Sequence, residues 1–296
     1  MQSEAPRQDT ATPRWIVEGG GVRLELGKRT LVMGILNVTP DSFSDGGRFL
    51  SLDQAVGHAE AMAAQGADLI DVGGESSRPG SDPIPVEEES RRVIPVIERI
   101  AKHLNLPISI DTYKAEVARR ALSSGARIIN DITALRQDPS MAELAAREGV
   151  PVILMHMLGT PKTMQIHPTY DSVMDELILF FKERMTAAQR AGVRQDRLIL
   201  DPGIGFGKTT EHNLEILRSL RRLSDLNRPL LIGPSRKSFI GNALGLPVED
   251  RLEGTAAAVT AAVLGGASIV RVHDVKAMVR VVRMADAIKG EAGYVG

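Results

Sequence analysis

Short, continuous runs of aliphatic residues recur along the chain from residue 31 onward. Each run has four to six residues without a regular alternation of polar and apolar positions, which is typical of strands buried on both faces of a parallel sheet. Longer stretches with the spacing of amphipathic helices separate the runs, so the pattern predicts eight strand-then-helix units. The runs are 31–36, 68–72, 107–110, 127–130, 150–155, 197–200, 229–233 and 268–272.

Glycine marks the ends of the predicted helices. The helical stretches 51–66 and 171–192 both end in glycine, the residue that most easily adopts the left-handed conformation at a helix C-terminus. Three strands follow a Gly-Ala pair, as expected where a helix turns tightly into the next strand. The pairs are Gly66-Ala67, Gly125-Ala126 and Gly266-Ala267.

Eight such units favour a closed (β/α)8 TIM barrel. The alternative is an open doubly wound sheet, whose usual six strands would leave two runs without a place. Residues 15–30 precede the first unit and predict a β-hairpin around Gly19–Gly21, which can cover the bottom of a barrel. No linker is evident, so we predict a polar N-terminal tail over 1–14 and a single barrel domain over 15–296.

The composition narrows the class of protein further. Hydrophobic residues make up 43% of the chain, enough for a large core, and there is no cysteine for a disulfide, a nucleophile or a zinc site. The 36 basic and 37 acidic residues nearly cancel and aromatic residues are 3%, so we expect no nucleic acid partner. The first fourteen residues lack the apolar segment of a signal peptide, and no run is long enough to span a membrane. We therefore expect a cytoplasmic protein that acts on small molecules.

A polar or charged side chain stands at the end of every predicted strand. In a barrel, the loops that follow the strands carry the chemistry. Any one of these residues is explained equally well as a helix N-cap, whereas eight on one rim indicate an active site. In chain order they are Asn37, Asp71, Asp111, Asn130-Asp131, His156, Asp201, Ser235-Arg236-Lys237, and Arg271 with His273.

These side chains fall into two chemical groups. The first offers carboxylate and amide oxygens, which suit the N–H edge of a flat nitrogen heterocycle. Its members are Asp111, Asn130 and Asp201. The second group is cationic, or can become so, and suits the oxygens of a phosphate or diphosphate. Its members are Lys237, Arg271, His273 and Arg78, although Arg78 or Arg236 taken alone is better explained by a surface ion pair.

The glycine-rich stretch 201–213 is not a nucleotide-binding loop. Pro202 stands where a Walker A motif needs glycine, and Lys208 stands where GxGxxG needs its third glycine. Its glycines are expected to let a tight loop approach a substrate, with Phe206 as an apolar wall. The loops 38–47 and 73–80, rich in Gly, Ser and Pro, are typical of mobile lids.

The histidines show no metal-ligand spacing, so a protein-held zinc site is not expected. Magnesium carried mainly by substrate phosphates is compatible with the sequence, with one amide oxygen from Asn37.

Eight longer strings occur in a recognisable order along the chain: GILNVTPDSFSDGG, IDVGGESSRPG, SIDTYK, INDI, MHMLGTPKTMQ, LDPGIGFGK, SRKSFIG and RVHDV. Together they resemble the dihydropteroate synthases of folate biosynthesis. The resemblance runs from about Trp15 to the last helix. It implies a TIM barrel, usually a homodimer, that joins 6-hydroxymethyl-7,8-dihydropterin diphosphate to 4-aminobenzoate and releases pyrophosphate.

The resemblance also implies roles for individual residues. The pterin would be held by Asp111, Asn130, Asp201 and Lys237. Arg271 and His273 match the diphosphate-binding pair, Asn37 the ligand of Mg²⁺, and Asp45 the acidic residue that closes over the site in the first loop. The positions near 4-aminobenzoate are Ser77, Arg78, Pro79, Phe206, Ser235 and Lys237. The expected catalytic residues are Asp45, Asp111, Asp201, Lys237, Arg271 and His273.

Three positions depart from the resemblance: Ser77 replaces a more common Thr, Leu158 a common Gln, and Pro234 precedes the SRKS string. None removes a catalytic group, although Pro234 can alter the aminobenzoate pocket slightly.

Two other functions remain open at the level of sequence. One is a Schiff-base aldolase that uses Lys237, since barrel lysines near strand ends can serve this way. The other is a non-catalytic pterin-binding paralogue or a methyltetrahydrofolate methyltransferase barrel. Such proteins need not keep the SFSDGG and SSRPG loops, which are present here.

Overall fold

The computed structural model of the chain describes residues 14–39 and 48–290. An antiparallel hairpin is followed by eight parallel strands with helices between them, which confirms the predicted (β/α)8 class. The strands are β1 Trp15–Gly19, β2 Val22–Leu26, β3 Leu31–Asn37, β4 Leu69–Gly73, β5 Ile108–Asp111, β6 Ile128–Asp131, β7 Val152–Met155, β8 Leu198–Asp201, β9 Leu231–Ile232 and β10 Ile269–Val272. The helices are α1 Arg48–Ala64, α2 Val86–His103, α3 Ala115–Ser123, α4 Ser140–Glu148, α5 Val173–Arg190, α6 Thr210–Arg218, α7 Ser238–Leu244, α8 Leu252–Leu264 and α9 Val275–Lys289.

The eight-stranded sheet closes on itself, which excludes the open doubly wound alternative. Its strand order is β8-β7-β6-β5-β4-β3-β10-β9, and β8 meets β9 through one parallel bridge between Leu200 and Leu230. The Leu200 N–H donates to the Pro229 carbonyl at 3.0 Å across this junction. Strand β9 has only two residues because Pro229 and Pro234 on either side of it cannot donate ladder hydrogen bonds.

The N-terminal hairpin covers the bottom of the barrel, as predicted. Gly20 and Gly21 have φ angles of +57° and +83°, which is the backbone that a two-residue hairpin turn requires. The buried hairpin side chains pack on the apolar residues that point into the barrel from the starts of the strands. This lower core contains Val17, Val22, Leu24, Leu26, Leu31, Met33, Leu69, Ile128, Ile153, Ile199, Leu231 and Ile269.

The Gly-Ala pairs end helices as the sequence indicates. Gly66, Gly125 and Gly266 have φ angles of +97°, +120° and +101°. The alanine after each glycine donates its N–H to a carbonyl five residues earlier, at 2.9 to 3.0 Å. This arrangement satisfies the last helical carbonyls and turns the chain directly into the next strand.

Candidate active site

Side chains that point into the barrel change from apolar to polar along several of the strands. On β4, Leu69 belongs to the apolar lower core, whereas Asp71 is fully buried one layer above it. On β6, Ile128 and Asn130 repeat this change. Because alternate residues of a strand share one face, the polar side chains meet at the C-terminal mouth of the barrel.

Arg271 of β10 joins two carboxylates across this mouth. Its Nε donates to Asp71 Oδ2 at 2.6 Å, and one Nη donates to Asp111 Oδ2 at 2.8 Å. Burial raises the pKa of Asp111 to about 7, although the charge of Arg271 acts in the opposite direction. Asp71 also accepts hydrogen bonds from Ser109 Oγ at 2.5 Å and from Asn130 Nδ2 at 3.1 Å. The floor of the mouth is therefore one connected network of charge-assisted hydrogen bonds.

Asn130 and Asp201 present acceptor oxygens to the mouth. Asn130 Oδ1 is buried and has no hydrogen-bond partner among the described residues. Asp201 Oδ1 accepts from the Gly203 N–H at 2.7 Å. Burial raises the pKa of Asp201, while the nearby Lys237 lowers it. A buried acceptor without a donor is costly, so these oxygens suit a ligand that brings its own N–H groups.

Lys237 lies near Asp201 at the mouth, against the loop after β8. Its Nζ donates to the carbonyl of Ile204 and lies 4.3 Å from the centre of the Phe206 ring. Burial lowers the pKa of Lys237 to about 7, although Asp201 acts to raise it. A Cβ at Gly205 would lie 2.8 Å from Lys237 Cδ, so the loop approaches the lysine closely only because residue 205 is glycine.

Ser235 and His273 form a hydrogen-bonded pair beside Arg271. The His273 N–H donates to Ser235 Oγ at 3.2 Å, and the same Oγ lies 3.0 Å from His273 Nδ1. In the neutral tautomer that accepts the Ser235 hydroxyl proton at Nδ1, the ring carries its own proton on Nε2. Desolvation, and then the charges of Arg271 and Arg236, lower the pKa of His273 to about 4. Arg236 itself is held by Asp274 at 2.8 and 2.6 Å, as expected for an ion pair.

The glycine-rich stretch 202–208 wraps around a buried lysine. Lys208 Nζ lies 2.9 Å from His156 Nδ1 and donates to the carbonyls of Gly203 at 3.1 Å and Phe206 at 3.0 Å. A Cβ at Gly203 would lie 2.0 Å from the His156 carbonyl, so only glycine fits there. The sequence does not predict the position of Lys208 at the centre of this loop, because nothing along the chain indicates the partners of the lysine.

Two of the strand-end residues do not face the mouth. Asp131 accepts from the N–H groups of Thr133 and Leu135, at 2.7 and 2.9 Å, and so shapes the turn after β6. His156 packs edge-on against Phe180 of α5, with their ring centres 4.7 Å apart. The prediction that all strand-end side chains converge is therefore wrong for these two, because successive residues of a strand point to opposite faces.

Ser77, Arg78 and Pro79 lie on the loop after β4, where no hydrogen bond joins them to the network at the mouth within the described ranges. Arg78 is exposed, and its guanidinium has no hydrogen-bond or ion-pair partner in the part of the chain that the structure describes. The loop instead contacts the loop after β7, since the Gly80 N–H donates to the Pro161 carbonyl at 3.0 Å.

Asn37 ends β3 beside the mouth. Its Oδ1 and Asp111 Oδ2 both flank Gly73, where an added Cβ would lie 3.8 and 3.7 Å from them. No group of three or more His, Asp or Glu side chains that could hold a metal occurs among the described residues. A single amide oxygen fits Mg²⁺ when substrate oxygens and water complete its shell. Asp45, which is predicted to act near this edge, lies outside the described residues.

These features define a TIM-barrel enzyme whose mouth offers acceptors to a nitrogen heterocycle and donors to an anion. The family described as pterin binding enzyme matches residues 33–273, which include every strand of the barrel except the first two residues of β3. The chain belongs to this family.

Within this family, the chain is similar to dihydropteroate synthases from several organisms. The enzyme of Synechocystis sp. is 49% identical over 270 residues, which are 91% of this chain and 93% of that protein. The crystal structure of the Yersinia pestis enzyme with a sulfonamide drug has a TM-score of 0.88 at 45% identity and covers 93% of this chain and 99% of that one. The Xanthomonas albilineans enzyme in complex with 7,8-dihydropteroate has a TM-score of 0.84 at 46% identity, covering 94% and 99%.

Proposed function

We propose that the chain condenses 6-hydroxymethyl-7,8-dihydropterin diphosphate with 4-aminobenzoate to give 7,8-dihydropteroate and pyrophosphate, as a dihydropteroate synthase. The observation that carries this proposal is the set of acceptors at the mouth, above all the buried and unpartnered Asn130 Oδ1. The similarity to dihydropteroate synthases over nine-tenths of the chain gives the same function.

The pterin is bound through its N–H edge. Asp111, Asn130 and Asp201 each have an oxygen that can accept from the ring and exocyclic N–H groups of a pterin. Lys237 reaches the same space from the loop between β9 and α7 and supplies a donor to the ring's acceptor atoms. A ligand that satisfies these buried groups is bound in one orientation. Any other orientation would place acceptor atoms of the ligand against the acceptor oxygens of the protein.

The reaction breaks one C–O bond and forms one C–N bond. The bond between the methylene carbon and the diphosphate breaks with its electron pair leaving on the diphosphate oxygen, whose charge Arg271 and His273 Nε2–H stabilise. The arylamine nitrogen of 4-aminobenzoate then bonds to the methylene carbon and releases a proton. Positioning contributes most here, since the leaving group is good and the amine needs no strong base.

The 4-aminobenzoate lies against the side of the mouth formed by Phe206, Ser235 and Lys237. The Phe206 ring offers an apolar face, and Lys237 Nζ lies 4.3 Å from its centre. Ser77, Arg78 and Pro79 reach this ligand when the loop after β4 moves from its contact with the β7 loop. The free guanidinium of Arg78 then meets the carboxylate of the substrate.

Mg²⁺ would be held by Asn37 Oδ1 together with diphosphate oxygens and water, and it would neutralise part of the leaving group's charge. Asp45 is assigned to closure of the first loop over the bound substrates.

The enzyme acts in the cytoplasm as a homodimer. Apolar side chains that remain exposed on α7, α8, α9 and the turn after α7 support a second copy as the partner. They are Leu244, Leu246, Val248, Leu252, Met284 and Ile288. Among the described residues, no helix is long and apolar enough to cross a membrane. Balanced charge argues against nucleic acid as a partner.

The decisive experiment measures pyrophosphate release by the purified protein. Release should require both the pterin diphosphate and 4-aminobenzoate, and 7,8-dihydropteroate should accumulate in equal amount. Pyrophosphate release without 4-aminobenzoate, or none at all, contradicts the proposed function.

A Schiff-base reaction at Lys237 is the second candidate, because the pKa of Lys237 is lowered to about 7 by burial and a neutral amine is the nucleophile that such chemistry needs. Borohydride in the presence of a carbonyl substrate should leave the mass of the protein unchanged. A covalent adduct at Lys237 would favour the aldolase instead.

A further inference from the structure

Asp71 lies below the substrate groups rather than among them. It is fully buried on β4, and its register neighbour on β5 is Ser109, one layer beneath the pair formed by Gly73 and Asp111. Both of its oxygens are occupied by protein donors: Oδ1 by Ser109 Oγ, and Oδ2 by Arg271 Nε and Asn130 Nδ2. A carboxylate with its lone pairs used in this way is placed to hold other side chains rather than a ligand.

The first consequence concerns the amide of Asn130. A primary amide can turn over so that its nitrogen and oxygen exchange places, and its own shape does not decide between the two orientations. Asp71 Oδ2, an acceptor, receives the Nδ2–H of Asn130 at 3.1 Å. The reverse orientation would bring two acceptors together. Asp71 therefore leaves Asn130 Oδ1, which is buried and unpartnered, as the atom that faces the site.

The second consequence concerns the guanidinium of Arg271. Asp71 takes its Nε–H at 2.6 Å, while Asp111 takes an Nη–H at 2.8 Å. Two carboxylates on different strands fix the plane of the guanidinium, and the remaining Nη–H groups are left for an anion.

We propose that Asp71 is a positioning residue that acts through hydrogen bonding: it selects the acceptor orientation of Asn130 and fixes the guanidinium plane of Arg271, and so sets the site's affinity for the pterin substrate. This inference rests on the proposed function for the identity of the ligand. It assigns to Asp71 no contact with either substrate.

The test compares two substitutions at position 71. In Asp71→Asn, the amide oxygen can keep accepting from Arg271 and Asn130 while its nitrogen donates to Ser109, whose hydroxyl can also accept. Asp71→Ala removes all three bonds. We expect D71A to raise the KM for the pterin diphosphate roughly tenfold or more, since it loses hydrogen bonds to charged groups, and D71N to recover most of that loss. The KM for 4-aminobenzoate should change by less than about threefold in both variants.

A buried carboxylate elsewhere serves as the matched control. Asp286 of α9 is 2% exposed and accepts from the N–H and Oγ1 of Thr30, at 2.9 and 2.8 Å, at the opposite end of the barrel. Asp286→Ala should lower the unfolding temperature and leave both KM values as they are. If D71A behaves like D286A, Asp71 is only structural and the proposal is overturned. It is equally overturned if D71N loses as much pterin affinity as D71A.

The route of the effect is checked in an Asn130→Ala background. There, D71A should weaken pterin binding less than it does in the wild-type background, since one of the two side chains it positions is gone. Binding of pyrophosphate to D71A reports on the position of the Arg271 guanidinium. The inference is contradicted if D71A weakens pterin binding equally in both backgrounds and binds pyrophosphate as tightly as wild type does.

Calorimetric binding of 7,8-dihydropterin, which needs no turnover, separates this inference from the proposed function. Wild-type protein that binds this probe but releases no pyrophosphate would contradict the function alone. Binding of the probe that is insensitive to D71A would contradict the role of Asp71 alone.

Discussion

Lys208 Nζ lies 2.9 Å from His156 Nδ1, and both side chains are buried. When Lys208 is charged its ammonium group can only donate, and His156 then accepts at Nδ1 and carries its ring proton on Nε2. Burial, and then the charge of Lys208, lower the pKa of His156 to about 2, so the ring stays neutral. The lysine also donates to the carbonyls of Gly203 and Phe206, so it ties the loop after β8 to His156 at the end of β7.

Replacement of Lys208 by Met should destabilise the protein. We expect Lys208→Met to lower the free energy of unfolding by roughly 2 kcal/mol, because two carbonyls and His156 Nδ1 would be buried without a donor. Urea denaturation measures this change. The matched control is Lys182→Met on the exposed face of α5, which should stay within about 0.5 kcal/mol of wild type. Equal stability of the two variants would show that the buried lysine does not hold its loop.

The stability difference between wild type and K208M should depend on pH. Burial lowers the pKa of Lys208 to about 7 in the folded protein, against an ordinary value of 10.5. Between these values the unfolded chain binds more protons at this residue, so its contribution to stability rises with pH from about 7 to about 10.5. The advantage of wild type over K208M should therefore widen as the pH is raised from 7 to 10. A constant difference would contradict the lowered pKa.

Replacement of Asp201 by Asn should strongly impair turnover. The amide brings a donor to a position where we propose that the buried carboxylate accepts from the pterin, and it removes the negative charge near Lys237. We expect kcat/KM for the pterin diphosphate to fall roughly 100-fold or more, the scale seen when a buried polar group at a reacting centre is lost. Asp196→Asn, at an exposed ion pair with Arg194, should leave turnover unchanged. Near-normal activity of D201N would remove Asp201 from the mechanism.

The affinity for 7,8-dihydropterin should show a narrow bell-shaped dependence on pH. Burial raises the pKa of Asp111 to about 7, so this carboxyl loses its charge as the pH falls through 7. Burial lowers the pKa of Lys237 to about 7, so its ammonium loses its charge as the pH rises through 7. The binding of 7,8-dihydropterin, which carries no diphosphate to titrate, should therefore be tightest near pH 7. In Asp111→Asn the acidic limb should lose the contribution of this carboxyl and keep only that of Asp201, whose pKa burial also raises, while the basic limb remains. An acidic limb identical to that of wild type would contradict the raised pKa of Asp111.

The hairpin should contribute to stability and leave catalysis unaffected. Leu26 is 1% exposed in the lower core, so Leu26→Ala should lower the free energy of unfolding by about 2–5 kcal/mol. Ile16, on the same hairpin but 51% exposed, should tolerate Ala within about 0.5 kcal/mol. Both variants should keep wild-type KM values well below their unfolding temperatures, because the hairpin closes the end of the barrel opposite the mouth. A shift in either KM would contradict this separation.

The sequence placed the strands to within two residues of their observed ends in all eight barrel units. Run 229–233 was predicted too long, because the two prolines that bound β9 cannot join the ladder. Aliphatic runs predict buried strands well because burial on both faces leaves no position free for polar residues. The hairpin and the Gly-Ala turns were predicted for a similar reason, since a positive φ is accessible mainly to glycine.

The candidate site was predicted less completely. Its residue types and their positions at strand ends follow from the sequence, and the resemblance to dihydropteroate synthases assigned roles to them. The direction of each side chain could not be predicted from the sequence. Successive residues of a strand face opposite sides of the sheet, so a shift of one residue in the end of a strand reverses the side that a given residue faces. Asn130 faces the mouth, whereas its neighbour Asp131 folds back onto its own turn.

The sequence by itself therefore determined the architecture, the end of the barrel that holds the chemistry and the family. Those features depend on local periodicity, glycine geometry and residue identity, all of which can be read from the sequence alone. Only the tertiary structure decided that Asp71 orients Asn130 and that Lys208 is held by His156. These pairs are separated by 59 and 52 positions, and their hydrogen bonds exist only once closure of the barrel brings distant strands and loops together.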